Sequence, residues 1–134
     1  MYRSEYFDVI TDNLRCPHCG DCHMDDEFMM NMDVLRAFLD FPLQGTSGYR
    51  CPEYNAIISS SATGPHTTGM AMDVYVSSPA RADRLIRAVY RPGAPFTGIG
   101  ARHHGSKKKR IFHLDMCESR PDLGRPRPRF WTYA

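Results

Sequence analysis

The chain has 134 residues, of which 42% are hydrophobic and 24% charged, and a formal net charge of +2. This is the composition of an ordinary globular domain with enough residues to bury a real core. No apolar run is long enough for a helix to span a bilayer, and so small a net charge names no partner by itself.

Residues 1–15 scatter Tyr6, Phe7, Val9, Ile10 and Leu14 among polar residues and read as an irregular segment laid along the core. They contain no apolar export segment, so the expectation is synthesis in the cytoplasm. Action at the cell wall or periplasm would then need another release route, or a place in a virion. Cys16-Pro17-His18-Cys19-Gly20-Asp21-Cys22-His23 comes next. Its C-x2-C pair with a following glycine resembles a metal knuckle. A fourth ligand from elsewhere is not identified, since only Cys51 and Cys117 remain. Free thiols or a local disulfide are the favoured reading, and five cysteines cannot all pair within one chain.

Asp25, Asp26 and Glu27 open a helix, with acids suited to its first turn. Phe28, Met32, Leu35 and Leu39 recur at helical spacing, and Pro42 ends the helix at about Phe41. Residues 43–50 read as a short strand running into a glycine turn. Residues 52–59 form a helix with Pro52 in its first turn and Tyr54, Ile57 and Ile58 facing in. A loop then delivers His66. Met70 to Val76 is a strand, with Ala71, Asp73 and Tyr75 on one face and Met70, Met72, Val74 and Val76 on the other.

Ser77 or Ser78 caps a further helix with Pro79 near its start and Ala82, Leu85, Ile86 and Val89 as its apolar stripe. Its arginines form a solvated face. Residues 96–100 are a glycine-rich strand, whose glycines let a ligand or backbone approach closely. A basic hairpin loop, including Lys107-Lys108-Lys109-Arg110, leads into the strand Arg110 to Met116, and solvated loop charge is its simpler reading. The tail, residues 117–134, is expected to be extended, with Phe130, Trp131 and Tyr133 anchoring its end. The fold class is α+β: a single domain, 1–134, with a small mainly antiparallel sheet and helices packed on one side.

The chemistry concentrates in His66-Thr67-Thr68-Gly69-Met70-Ala71-Met72-Asp73 and Phe112-His113-Leu114-Asp115. Imidazole and carboxylate both suit a borderline metal such as zinc. If the two strands are neighbours, His66, Asp73 and His113 converge as three metal ligands, leaving a position open for water. Asp115 shares a face with His113.

Ser47-Gly48-Tyr49-Arg50-Cys51-Pro52-Glu53-Tyr54-Asn55, the His66 to Asp73 string, Gly98-Ile99-Gly100 and Phe112-His113-Leu114-Asp115 occur in that order. This ordered set, from about Phe7 to Trp131, resembles the M15 family of zinc D-Ala-D-Ala carboxypeptidases and peptidoglycan L,D-endopeptidases, especially its compact bacterial and phage-borne members. The implied fold is also that of the hedgehog signalling domain. The resemblance implies Zn2+ held by His66, Asp73 and His113, and substrate pairing by Arg50. It implies hydrolysis of an amide bond in bacterial peptidoglycan peptide.

Several branches of the family carry a carboxylate where this chain has Arg110. Asp115 is therefore the candidate for the base, or for a group that orients His113, with His103 and His104 as further candidates. The alternative function is a non-catalytic, zinc-stabilised module that binds the cell wall or a protein. Specific nucleic-acid binding is not expected, and the oligomeric state is left open.

Overall fold

The computed structural model describes residues 2–133; Met1 and Ala134, the ends of the expected domain and tail, lie outside the described residues. Three helices, α1 (Asp26–Ala37), α2 (Pro52–Ser59) and α3 (Pro79–Val89), accompany five strands. The strands are β1 (Gln44–Ser47), β2 (Ala71–Tyr75), β3 (Gly98–Arg102), β4 (Ile111–Asp115) and β5 (Arg129–Thr132). They form one sheet in the order β1-β2-β4-β3-β5, antiparallel except for the parallel pair β3 and β5.

Alternation along the strands divides the sheet into two unlike faces. Met72, Val74, Ile99, Ala101, Phe112 and Leu114 face the core, where Phe28, Met29, Met32 and Leu35 of α1 and Ala82, Leu85 and Val89 of α3 pack on them. Asp73, His113 and Asp115 lie on the opposite face. Burying that apolar stripe, at about 25 cal/mol per Å2, fixes the strand register, because a one-residue slip would turn the carboxylates into the core.

The helices start on side-chain caps. The Asp25 carboxylate accepts from Phe28 N–H at 2.8 Å, and the Ser78 hydroxyl accepts from Arg81 N–H at 3.4 Å. Both α2 and α3 carry proline in the first turn, where its missing N–H costs nothing.

Three expectations need correction. Helix α1 stops at Ala37 rather than near Phe41. Leu39 and Phe41 are both buried, and residues two apart do not share a helix face, so the chain must leave the helix to bury both. Helix α2 does not turn its isoleucines inward: Ile57 is 74% and Ile58 46% exposed, and Asn55 is its buried residue. The helix sits at the sheet's polar face, where Asn55 Nδ2 donates to the Ser61 carbonyl at 2.7 Å. The tail is not uniformly extended. A 3-10 turn, Pro121–Leu123, precedes β5, which joins the sheet edge, and Phe130 stays exposed.

Candidate metal centre

Strand register builds the site as one row across the sheet. Asp73 stands opposite His113, His113 opposite Gly100, and Gly100 opposite Trp131. Facing strands are about 4.8 Å apart, so three of these positions bring their side chains together above the sheet. His66 enters from a 3-10 turn, Pro65–Thr68, closed by Gly69 at φ +76°. That left-handed conformation suits glycine and turns the chain directly into β2.

The donor atoms of His66, Asp73 and His113 all lie within 4.8 Å of one another, and all three residues are buried. His66 Nε2 is 3.4 Å and His113 Nδ1 3.0 Å from Asp73 Oδ1. Zinc bonds of about 2.1 Å at tetrahedral angles put neighbouring ligand atoms about 3.4 Å apart. The spacing therefore fits one ion with little movement.

The hydrogen bonds behind the imidazoles agree. His66 Nδ1–H donates to the Gly48 carbonyl at 2.7 Å, and His113 Nε2–H donates to Asp115 Oδ2 at 2.7 Å. Each ring thus has its rear nitrogen tied to an acceptor, which turns the other nitrogen toward Asp73, where it can bind a metal once free of a proton. Acceptors placed this way fix tautomer and ring orientation at metal centres.

Charge is concentrated at the same place. Burial opposes ionisation of Asp73, but His66 and His113 more than offset it and hold the carboxyl far below its usual range. Burial likewise disfavours a charged His113, yet the bonds and charges of Asp115 and Asp73 win and raise its pKa to about 9. Two carboxylates around one imidazole favour a cation there, a proton or a metal ion.

Asp115 has 0% exposure and does not line the cleft. Besides His113, its carboxylate accepts from Arg127 Nε at 3.0 Å, Arg127 Nη2 at 2.7 Å and Cys117 N–H at 3.1 Å. Burial raises its pKa, and the His113 and Arg127 bonds override that and hold it ionised. Gly98 makes the room: a Cβ there would collide with the Asp115 carboxyl group. Gly100 does the same for Trp131, whose indole would meet a Cβ at 2.6 Å and instead reaches to 5.1 Å from the His113 ring. The approach expected at these glycines is thus made by side chains of the chain itself.

A cleft of about 450 Å3 opens over the centre, a size suited to a short peptide segment. Arg50, Arg125, Arg129, Trp131 and Tyr133 are among its walls. Arg50 Nη2 lies 3.7 Å from Asp73 Oδ2, and its Nη1 donates to Asn55 Oδ1 at 3.4 Å. His103 and His104 lie apart from the cleft lining, one against Phe112 and the other on the Tyr133 carbonyl.

Sequence reasoning missed Arg127 and Asn55 and gave Trp131 only an anchoring role. The run Phe130-Trp131-Thr132-Tyr133 is itself a strand signal, but the prolines before it obscured the pairing. No local signal marks Arg127; only the rule that a buried carboxylate needs a cationic partner points to it.

Fold and centre together define an α+β domain with a buried two-imidazole, one-carboxylate group that could hold a metal ion. Residues 9–115 match the family model described as Peptidase M15, and the chain belongs to that family. No curated protein matches it. Arg127, Trp131 and Tyr133 lie beyond the matched residues, so part of the cleft wall comes from the tail.

Proposed function

We propose that this chain is a zinc metallopeptidase that hydrolyses an amide bond in the peptide stem or cross-link of bacterial peptidoglycan. The observation that carries this reading is the pair of rear hydrogen bonds, from His66 to Gly48 and from His113 to Asp115. They leave the two front imidazole nitrogens and the Asp73 carboxylate aimed at one point on the floor of an open cleft. When bound, zinc supplies a lowered pKa for a water molecule and polarises the amide carbonyl.

The chain's own residues do the rest. Arg50 presents a planar fork on the cleft wall beside Asp73, suited to bidentate pairing with a peptide carboxylate or carbonyl. Arg125 and Arg129 add positive charge along the wall and favour an anionic peptide. Trp131 covers His113 with an apolar surface and limits water around it. Asp115 is a positioning residue: its oxygens are engaged by His113, Arg127 and Cys117, and it acts by holding the His113 ring. A D-Ala-D-Ala carboxypeptidase releases a terminal residue and an endopeptidase cuts within the stem or cross-link, so the fragments distinguish them.

The test is digestion of purified peptidoglycan by zinc-loaded protein, with fragments read by mass spectrometry. New peptide termini that vanish on chelation, return with zinc and are lost in His66→Ala support the proposal. One observation favours a second reading, a zinc-stabilised module that binds wall peptide without cleaving it: Asp73 is the only carboxylate that lines the cleft among the described residues. Sedimentation with peptidoglycan, and no new termini, would establish that reading instead.

A further inference from the structure

The knuckle-like segment near the N-terminus takes no part in the cleft. Gly20 N–H donates to the Cys16 carbonyl at 2.9 Å, Cys16 N–H donates to the Asp21 carbonyl at 2.8 Å, and Gly20 adopts φ +79°. This tight turn sets Cys16 and Cys19 side by side. Cys51 arrives at the same point as the N-cap of α2, and the sulfurs of Cys16, Cys19 and Cys51 all lie within 4.8 Å of one another.

Backbone donors serve two of these sulfurs: Cys51 N–H reaches Cys16 Sγ at 3.3 Å, and Tyr54 N–H reaches Cys51 Sγ at 3.4 Å. N–H groups aimed at sulfur favour thiolate charge once a metal takes the protons' place. Cys22 is not in the group, since it packs against the hydrophobic core. Cys117 lies elsewhere, 3.7 Å from the Thr68 hydroxyl. The fourth position has a candidate on the same turn, His18, whose exposed ring lies outside the set of mutually close sulfurs and must swing toward Cys16 and Cys19 to complete the site. His18 Nδ1 is 3.6 Å from Cys51 Sγ. A tetrahedral zinc with bonds of about 2.3 Å to sulfur and about 2.1 Å to nitrogen gives an S···N edge of about 3.6 Å.

We propose that Cys16, Cys19 and Cys51, with His18 as fourth ligand, form a second zinc site that is structural and closed. Binding displaces three thiol protons to solvent and leaves three thiolates on the ion. The site ties the N-terminal segment to the start of α2 across a separation of 35 residues. It also anchors the residue before Cys51: Arg50 N–H donates to the His66 carbonyl at 3.1 Å and its side chain enters the cleft. A clip at Cys51 therefore fixes the backbone that aims Arg50.

Cobalt substitution tests this without using activity. Cobalt on thiolates gives a sulfur-to-metal charge-transfer band, which the sulfur-free cleft site cannot give. The expected result is two cobalt ions per chain with that band. The His66→Ala/His113→Ala variant should keep one ion and the band, and Cys16→Ser/Cys51→Ser should lose the band. If the cysteine variant fails to fold, alkylation of the unaltered protein serves. Cys19 is exposed as a free thiol, so zinc should protect it from iodoacetamide while Cys22 still reacts. His18→Ala should weaken zinc binding at this site by at least roughly tenfold, and His18→Cys should restore it. Absence of the band, Cys19 alkylated equally fast with and without zinc, or a disulfide between Cys16 and Cys51 seen as a mass lower by two hydrogens, would overturn the site. Unchanged affinity in His18→Ala would overturn the assigned fourth ligand.

Discussion

Arg127 closes a two-point ion pair on Asp115, with Nε on Oδ1 at 3.0 Å and Nη2 on Oδ2 at 2.7 Å, and neither side chain is appreciably exposed. Removing one partner of such a buried pair strands the other's charge, at a cost of about 3–5 kcal/mol. Arg127→Met should therefore lower the melting temperature sharply in thermal denaturation. Adding Asp115→Asn to the same chain should recover part of the loss. A single variant as stable as the parent would mean that water already reaches Asp115.

The metal-free protein should have a bounded pH range of stability. His113 is raised from 6.5 to about 9, so its contribution is complete below about pH 6.5 and is lost as pH rises through about 9. Asp73 and Asp115 are depressed from 3.8, so theirs is complete above about pH 4 and is lost as pH falls through their folded values. Melting temperatures of chelator-treated protein from pH 3 to pH 10 should fall at both ends. His113→Gln should remove the decline at the alkaline end.

Zinc entering the cleft must displace the proton that His113 holds below about pH 9. Titration calorimetry near pH 7.5 in buffers of different ionisation enthalpy should show proton release, smaller at pH 9.5. The Cys16→Ser/Cys51→Ser variant keeps thiol protons out of the measurement. Uptake with no buffer dependence would contradict a charged His113 in the metal-free protein.

Trp131 is the only tryptophan, and it touches the centre by crossing Gly100. Gly100→Ala places a methyl 2.6 Å from the indole. Overpacking of this kind costs about 1–3 kcal/mol. The expected readout is a red-shifted emission as the ring is pushed toward water, with zinc-induced changes in emission reduced. Unchanged emission would show that the indole does not lean on the strand as described.

Arg50→Lys keeps the charge and removes the fork. Losing one charge-assisted hydrogen bond of about 1.5–3 kcal/mol should lower kcat/KM on wall peptide by roughly ten- to hundredfold. Zinc content should stay the same. Equal loss of zinc and activity would instead make Arg50 a support of the metal centre.

Local sequence carried the strands that matter, because burial on one face writes an alternating pattern: Met72 and Val74 against Asp73, Phe112 and Leu114 against His113. The same pattern led to the three converging donors. Long-range partners left no such trace. Arg127 meets Asp115 only because β5 returns alongside β3, and Cys51 meets Cys16 only because α2 begins beside the knuckle. Apolar residues misled where a helix meets a polar surface, as with Ile57 and Ile58, since composition does not say which side of a short helix finds a neighbour.

Tyr133 lines the cleft, and its N–H is held by the Ala101 carbonyl at 3.0 Å. Chain joined after Tyr133 therefore starts at the lip of the opening. An affinity tag is better joined ahead of Tyr2, whose amide is held by Asp26 on α1. A preparation tagged at the C-terminal end should be assayed before and after the tag is cleaved away.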